Sequence, residues 1–301
     1  MSSSVLYANP EGDVLDDIVD TKRYPVGGSA GGIDGVGWDE AVGAACAELA
    51  EHGCATLRGF LSPAGLAQAH REIESIVPRA PIRSETSNVY ASPDADKGLD
   101  PDDPRRIQLS RRIGHLTRDQ IPPDTVLARL YAAPGVKRFV GACVGEHRVF
   151  EYADPLAGLV VTIVPPGGEL HWHYDTNEFV VTLMVCEPDE GGLLEYCPWL
   201  RGPGDENLDG LGRVLRDEAP DAVRTMKMHA GDLQIFMGRY SLHRVTKVLG
   251  NRTRCVGVLG YANRPGVIGP VDRTRSVYGR VTEAHLLAAE FAPQSGDGLI
   301  L

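Results

Sequence analysis

A series of short apolar segments in the second half of the chain restricts the fold more than any other feature of the sequence. From Arg148 onward, seven segments rich in β-branched or aromatic residues follow one another, separated by turn residues: VFEYA, GLVVTIV, FVVTLMV, LLEYCP, VRTMKMHA, LQIFMG and RCVGVLGY. Segments of this length and composition are typical of β-strands. Many short strands that follow a helical N-terminal part indicate a barrel or sandwich buttressed by helices. We therefore predict an α+β fold with a mainly β core.

The N-terminal part has helical spacing of its apolar residues. Ala41, Ala45 and Leu49 recur on one side of the first segment, and Ser62 is a suitable N-cap for the second. Helices are predicted at 38–52, 62–77, 123–131 and 134–144, with a strand at 54–60.

Two polar stretches interrupt these elements. Residues 79–120 are polar and rich in proline, and a loop of this length is usually functional or disordered, so it is either a substrate lid or a plain surface excursion. Residues 201–222 form a second polar insertion between predicted strands. The chain is predicted to be one domain, 1–301, with an irregular arm at 1–37, a helical and lid region at 38–147, a β core at 148–264 and a C-terminal tail at 265–301 that packs across the mouth of the barrel.

The charge and apolar content exclude several classes of partner. The net charge of the 301 residues is -11, and an acidic chain repels the phosphate backbone of nucleic acids. The longest apolar runs are too short to span a bilayer, and Met1–Asp20 does not resemble a signal peptide. We therefore expect a cytoplasmic protein with a small-molecule substrate and no nucleic-acid or membrane partner. The six scattered cysteines are expected to be reduced. A homodimer is expected only because dimers are common among soluble proteins.

Two His-x-Asp/Glu pairs are candidates for metal ligands. With 9 histidines and 41 acidic residues in the chain, such a pair by itself carries little information. His70 and Glu72 lie in a predicted helix, where residues i and i+2 do not face each other, so they are expected on a solvated helix face. His173 and Asp175 follow a strand and a PPGG turn. On an extended segment residues i and i+2 point to the same side, so both side chains can reach one ion.

His243 completes the predicted ligand set. It ends the segment GDLQIFMGRYSLH, 68 residues after Asp175 in the sequence. Two imidazoles and one carboxylate on one face of an ion leave open positions on the other face, which is the arrangement of non-haem iron(II) oxygenases. The sequence therefore predicts that His173, Asp175 and His243 bind iron(II) and carry catalysis.

An arginine after His243 would suit a dicarboxylate cosubstrate. Such a molecule chelates the iron with one end and needs a cation at the other, and arginine pairs bidentately with carboxylates. Arg252 is the first candidate, nine residues beyond His243, and Arg254 is the second because it has the same strand parity. A surface charge is the alternative for each.

The order of these features resembles the iron(II)/2-oxoglutarate-dependent oxygenase superfamily. A strand, the His-x-Asp pair, a Gly-Gly turn, a Gly-Asp pair, the distal histidine and the downstream arginine follow in that order. The segments DPLAGLVV, LHWHYDTNEFVVTL, GGLLEYCPWLR, GRYSLHRVTKV and SVYGR resemble a subgroup that contains free-amino-acid halogenases and their hydroxylase relatives. The resemblance covers roughly residues 80–280.

This resemblance implies a fold and a set of cofactors. The fold is a double-stranded β-helix, a jelly-roll or cupin-like barrel. Iron(II) is chelated by 2-oxoglutarate, whose distal carboxylate is held by the arginine that matches Arg252, and O2 is the oxidant. The substrate is a small polar molecule such as a free amino acid, and 2-oxoglutarate is converted to succinate and CO2.

Asp175 decides between the two activities of the subgroup. In its halogenases a small residue replaces the carboxylate ligand and leaves a site for chloride. Because Asp175 is present here, hydroxylation is favoured, or another oxidation such as desaturation or ring closure.

Further residues near the predicted ligands are candidates for substrate binding. His171 shares the parity of His173 and faces either the same pocket or the packed interior. Thr176 and Asn177 follow the ligand pair and either bind substrate or shape the turn. Glu151 and Asp154 could bind a substrate ammonium group, although acidic residues at strand ends are more often solvated. Trp172 and Tyr174 should point away from the iron.

Two other interpretations remain open at the level of sequence. A cupin-type site would use His171, His173, Glu178 and His243, but Glu178 has the wrong parity on a continuous strand. A non-catalytic ligand-binding barrel would keep the fold without the chemistry, and the complete set of ligands and arginine argues against it.

Overall fold

The structure is a computed structural model that describes residues 15–26, 36–91, 98–290 and 299–300. It is an α+β fold. The strands β1 to β15 are, in chain order, Cys54–Leu57, Ile82–Ser87, Leu109–Leu116, Phe150–Glu151, Leu159–Val164, Leu170–His173, Val180–Cys186, Glu190–Gly191, Leu194–Cys197, Arg224–Met226, Leu233–Phe236, Leu242–Val245, Val248–Leu249, Arg254–Leu259 and Tyr261–Ala262. The helices α1 to α7 are Val36–His52, Pro63–Ile76, Val126–Ala132, Pro134–Cys143, Leu208–Leu215, Val271–Tyr278 and Glu283–Ala289.

Two antiparallel sheets form the β core. The larger has seven strands in the order β1-β11-β7-β14-β5-β3-β2, and the smaller has four in the order β10-β9-β12-β6. Thr162 and Thr182 of the large sheet and His173, Leu194 and His243 of the small sheet line one pocket, so this pocket lies between the sheets. The predicted combination of a mainly β core with helices is confirmed.

The N-terminal helices cover the face of the large sheet that points away from the pocket. Ile73 on α2, Leu127 on α3, and Val161 and Val181 of the sheet are fully buried in one apolar cluster. The predicted cap of α2 is confirmed, since the Ser62 hydroxyl accepts a hydrogen bond from the Gly65 N–H at 3.0 Å. The helices therefore buttress the sheet.

The polar stretch 79–120 is not the single loop that the sequence suggested. Within it, β2 and β3 pair antiparallel, and β3 joins β5 with Gly114 opposite Ile163. Because β2 is the edge strand of the sheet, its residues are only half-buried or exposed, and IRSETS lacks the apolar alternation that marks a strand. Residues 92–97, part of the predicted lid, lie outside the described residues.

The predicted insertion 201–222 contains a helix that the sequence analysis missed. The Asn207 side chain accepts a hydrogen bond from the Gly210 N–H at 3.1 Å and begins α5. Only Leu211 and Val214 give the helix a buried apolar side, which is too short a pattern to stand out among polar residues.

The C-terminal tail contributes to the pocket through α6, whose Arg273, Val277 and Tyr278 line it. All six cysteines are free, as expected. Among the described residues, no helix is long and apolar enough to cross a membrane.

A fully buried hydrogen bond between His285 and Asp154 ties this tail to the core. Asp154 accepts hydrogen bonds from the backbone N–H groups of Leu156 at 2.7 Å and Gly269 at 2.9 Å. Its Oδ2 also lies 3.1 Å from Nε2 of His285 on α7, and both side chains are completely buried. The Asp154 carboxylate thus links the segment after β4 to two points of the tail.

Replacing Asp154 with alanine should lower the free energy of unfolding by about 3–5 kcal/mol, because it leaves buried donors without an acceptor. Urea denaturation followed by circular dichroism measures this loss. Asp272→Ala on α6 is the matched control, since that side chain is 84% exposed and should change stability by less than about 1 kcal/mol. Equal stability of the two variants would contradict the role given to Asp154.

Candidate active site

Three predicted ligands meet at one end of the small sheet. His173 is the last residue of β6, and His243 on β12 lies directly opposite it in the antiparallel register. Their ring centroids are 4.0 Å apart. Asp175, two residues further on, places Oδ1 4.0 Å from His173 Nε2 and Oδ2 3.5 Å from His243 Nε2. One ligand atom from each of the three residues lies within 4.8 Å of the others, a spacing that can hold a metal ion.

Backbone carbonyls orient both imidazoles. Nδ1 of His173 lies 2.9 Å from the carbonyl oxygen of His171, and Nδ1 of His243 lies 2.9 Å from that of Ser241. A carbonyl only accepts, so each Nδ1 carries the proton and each Nε2 keeps its lone pair toward the centre. Burial, with the adjacent His243, lowers the pKa of His173 well below its usual range. The ring is therefore neutral, which is the form that binds a metal.

The carboxylate of Asp175 is the strongest indication that a cation belongs here. Its Oδ2 is buried and has no hydrogen-bond partner, although the Asp175 N–H donates to the Gly238 carbonyl at 3.0 Å. A buried anionic oxygen without a partner is costly unless a cation or donor satisfies it. Two imidazole nitrogens and this oxygen form a donor set that fits iron(II).

Only the second of the two candidate arginines lines the pocket. Arg252 precedes β14, its side chain is 66% exposed, and it forms an ion pair with Asp189 on the surface. Arg254 is the first residue of β14, is buried, and lines the pocket with its Nε unpaired. Arg252 therefore does not reach the pocket, because β14 begins only at Arg254 and strand parity does not apply before it.

The environment of Arg254 suits a bound carboxylate. Burial lowers its pKa to about 10, so the guanidinium is still charged at neutral pH. No carboxylate lies within 4.0 Å of it in the part of the chain that the structure describes. A buried and unpaired cation of this kind requires an anionic partner.

A second group of cationic side chains lines the pocket beside the metal ligands. Arg273 of α6 donates to the carbonyl oxygens of Tyr90 and Tyr174, both at 2.8 Å, and burial lowers its pKa. Arg111 of β3 is buried and pairs with Glu85 at 2.7 Å. Both acceptors are neutral carbonyls, so within the ranges that the structure describes the charge of Arg273 has no direct anionic partner.

His171 lies in the pocket but is not placed as a metal ligand. Its Nδ1 donates to the Trp172 carbonyl at 2.7 Å, so its Nε2 accepts from the Ser87 hydroxyl at 2.9 Å. Burial, with Arg111 and Arg273 nearby, lowers its pKa to about 4. The lone pair of Nε2 is therefore already used.

The remaining substrate candidates divide into two groups. Thr176 and Asn177 line the pocket. Glu151 does not, because it pairs with Arg118 at 3.2 Å and Lys137 at 2.9 Å. Asp154 is buried in the hydrogen bond with His285 described above, rather than solvated or facing a substrate.

The two residues next to His173 in the sequence do not line the pocket, as the alternation of side chains along a strand predicts. Trp172 and Tyr174 are buried in a separate apolar cluster outside the pocket. His70 pairs with Glu74 at 3.4 Å on the surface of α2, as expected for a solvated helix face.

Two of the four ligands that a cupin-type site would need are not placed to bind a metal. Glu178 is exposed and does not line the pocket. His171 uses the lone pair of its Nε2 to accept a hydrogen bond from the Ser87 hydroxyl. Within the described residues, only His173, Asp175 and His243 form a cluster that could hold a metal.

Sequence reasoning missed several residues that line the pocket. Tyr152 is buried with an unpartnered hydroxyl, and Gln234, Arg273 and Tyr278 also reach the site. Burial raises the pKa of Tyr152 far above its usual value, so the hydroxyl stays protonated and can donate. The positions of these residues in the sequence have no regular spacing from the candidate metal ligands, so no sequence pattern points to them. Only the resemblance of SVYGR to the subgroup pointed to the region around Tyr278.

Comparison with solved structures finds similar backbones at low sequence identity. A 2OG-Fe(II) oxygenase family oxidoreductase from Burkholderia pseudomallei is 16% identical, over 77% of this chain and 93% of that one, with a TM-score of 0.49. A prolyl hydroxylase from Trichoplax adhaerens, in complex with a peptide fragment of hypoxia inducible factor, is 14% identical over 75% and 90%, with a TM-score of 0.49. AviO1 from Streptomyces viridochromogenes Tue57 is 20% identical over 73% and 94%, with a TM-score of 0.48. At these values the likeness says nothing about the activity of this chain.

The family comparison is decisive. No curated protein sequence matches the chain. The sequence model of the family described as HalD, halogenase D, matches residues 38–274, which include all three predicted metal ligands and Arg254. This match confirms the resemblance to a halogenase-containing group. The chain therefore belongs to the halogenase D family.

Proposed function

We propose that this protein is an iron(II)/2-oxoglutarate-dependent oxygenase that hydroxylates an unactivated C–H bond of a free amino acid. The observation that carries the proposal is the pairing of two unsatisfied buried groups in one pocket. Asp175 offers an oxygen without a partner beside two neutral imidazoles, and Arg254 offers a guanidinium without an anion. An iron(II) ion and the far carboxylate of 2-oxoglutarate would satisfy both.

The residues of the pocket prepare the site for these molecules. His173, Asp175 and His243 would hold the metal on one side and leave its other side open to the pocket. When bound, iron(II) and 2-oxoglutarate supply the oxidising chemistry, in which O2 converts 2-oxoglutarate to succinate and CO2 and the second oxygen atom enters the substrate. The protein binds and orients both molecules and excludes water from the reacting carbon.

Arg254 would hold the cosubstrate against the large sheet. The apolar side chains of Val256 and Val258 follow it along β14 and also line the pocket. They would exclude water from the ion pair between Arg254 and a bound carboxylate, and such a pair is stronger in a low-dielectric environment. The planar guanidinium suits a bidentate contact with the distal carboxylate of 2-oxoglutarate.

Asp175 favours hydroxylation over halogenation despite the name of the family. Halogenation in this subgroup requires a small residue in place of the carboxylate ligand, so that chloride can bind there. Here the carboxylate is present and lies 3.5 Å from His243 Nε2. It therefore occupies the place that a halide would need.

The cationic group beside the metal supports an amino-acid substrate. Among the described residues Arg273 has no carboxylate partner, and it lines the pocket with Arg111 and His171. The carboxylate of an amino acid would complete this group. Asn177 and Thr176 lie on the same segment as Asp175, where they could contact the other polar atoms of the substrate.

The fold supports the same proposal. Two antiparallel sheets facing each other across the metal site are the arrangement expected of a double-stranded β-helix. We infer that residues 1–301 form one oxygenase domain on this scaffold.

Anaerobic titration of the iron(II)-loaded protein with 2-oxoglutarate should produce a visible metal-to-ligand charge-transfer band. Arg254→Met should weaken the titration by about a hundredfold or more, because it leaves a carboxylate buried without its partner. Arg252→Met is the matched control and should titrate like the wild type, since Arg252 lies on the surface. Absence of the band in fully loaded wild-type protein would refute the oxygenase proposal, and a loss confined to Arg252→Met would refute the assignment of Arg254.

A screen of free L-amino acids for substrate-dependent succinate formation should identify a substrate. In chloride buffer, mass spectrometry should find a product that has gained oxygen rather than chlorine. Arg273→Met should raise KM for that substrate by about tenfold or more, because a hydrogen-bonded charge is lost.

Two controls accompany this screen. Arg275→Met on the exposed side of α6 should leave KM unchanged, and Arg273→Met must keep the charge-transfer band with 2-oxoglutarate. A chlorinated product would contradict the assignment to hydroxylation. An unchanged KM in Arg273→Met would contradict the role of Arg273.

A further inference from the structure

Gly238 lies against the carboxylate of Asp175 more closely than any side chain could. A Cβ atom built on Gly238 would lie 1.8 Å from Asp175 Oδ2, 2.7 Å from its Cγ and 3.1 Å from its Cβ. Real Cβ contacts essentially never fall below 3.0 Å. A residue of any other type at position 238 therefore cannot coexist with the observed position of the carboxylate.

The backbone around Gly238 is held from several sides. Met237 donates its N–H to the Gly53 carbonyl at 2.8 Å, and its own carbonyl accepts from the N–H groups of Tyr240 and Ser241, both at 3.1 Å. The Gly238 carbonyl accepts from the Asp175 N–H at 3.0 Å. Since this turn leads directly from β11 into β12, which carries His243, a shift of its backbone would also move a metal ligand. The Asp175 side chain is the group that can yield most easily.

Any displacement of the Asp175 side chain disturbs the candidate ligand cluster. Its Oδ2 belongs to that cluster and lies 3.5 Å from His243 Nε2. A methyl group at position 238 would take the space of this oxygen and displace it from its observed place. A substitution at a residue that does not itself bind the metal would thus remove one of its ligands.

We propose that Gly238 is the positioning residue that keeps Asp175 in the metal site, so that residues 175 and 238 determine together whether the iron has a carboxylate ligand. The inference rests on the proposed function in that the metal is taken to be iron(II). It goes beyond that proposal, because the His-x-Asp motif by itself would not be sufficient for a three-residue ligand set. The chain must also leave the space opposite the aspartate empty.

The test is a double-mutant cycle on iron(II) binding under anaerobic conditions. Gly238→Ala should weaken iron(II) binding by about tenfold or more, as expected when a group that orients a metal ligand is lost. Asp175→Gly should weaken it as well. In the Asp175→Gly background, Gly238→Ala should cause no further loss, because the carboxylate that it displaces is already absent.

A matched control separates this effect from a general effect of removing a glycine. Gly202 lies directly before a turn, its φ is not in the positive range, and a Cβ built on it has no atom within 4 Å. Gly202→Ala should bind iron(II) like the wild type. The same cycle, measured by thermal unfolding of the metal-free protein, should show that Gly238→Ala destabilises the wild type but not Asp175→Gly.

The outcomes distinguish this proposal from the proposed function. Unchanged iron(II) affinity in Gly238→Ala would overturn the inference, and so would an equal loss in the Asp175→Gly background, which would place the effect in the turn itself. Failure of the wild type to bind iron(II) would refute the proposed function, while the unfolding cycle on metal-free protein would still decide whether Gly238 and Asp175 are coupled.

Discussion

The antiparallel register between β6 and β12 is the constraint on which the site depends. It places His173 directly opposite His243, so two residues that are 70 positions apart in the sequence bring their rings to a centroid distance of 4.0 Å. Each imidazole is then fixed by a carbonyl two residues before it in the chain. A shift of this register by one residue would turn one ring to the opposite face of the sheet and destroy the pair. The metal site is therefore a property of strand pairing as much as of the ligand residues.

Charge balance explains why the pocket is suited to anionic molecules. Among the described residues that line it, Asp175 is the single carboxylate, while Arg111, Arg254 and Arg273 supply three guanidinium groups. Glu85 compensates Arg111, but the other two cations lack a paired carboxylate. Burying these charges without a partner destabilises the folded protein, and bound anions would offset that cost. A divalent cation beside Asp175, a dicarboxylate at Arg254 and a carboxylate at Arg273 would complete this balance.

The sequence pointed to the three clustered residues His173, Asp175 and His243 but not to the pocket around them, and the reason is the range over which periodicity applies. His173 and Asp175 belong to one extended segment, where alternation fixes their common side. The same rule failed for Arg252, because the strand begins only at Arg254 and alternation holds only inside a strand. β2 was missed because an edge strand has no apolar pattern to recognise. Arg273 was missed because it reaches the site from a helix, and neither its spacing nor its neighbours refer to the metal ligands.

Arg273 links the proposed substrate contact to the arrangement of the candidate metal ligands. Its guanidinium donates to the carbonyl of Tyr174, the residue between two predicted ligands, and to that of Tyr90. The rings of Tyr90 and Tyr174 also stack, with their centroids 6.0 Å apart. The hydrogen bonds of Arg273 and this stacking together hold two segments that border the pocket. An anion bound at Arg273 would compensate its charge while these two donated hydrogen bonds persist. α6 thus lies against the candidate metal site, and the buried pair of Asp154 and His285 anchors the tail to which this helix belongs.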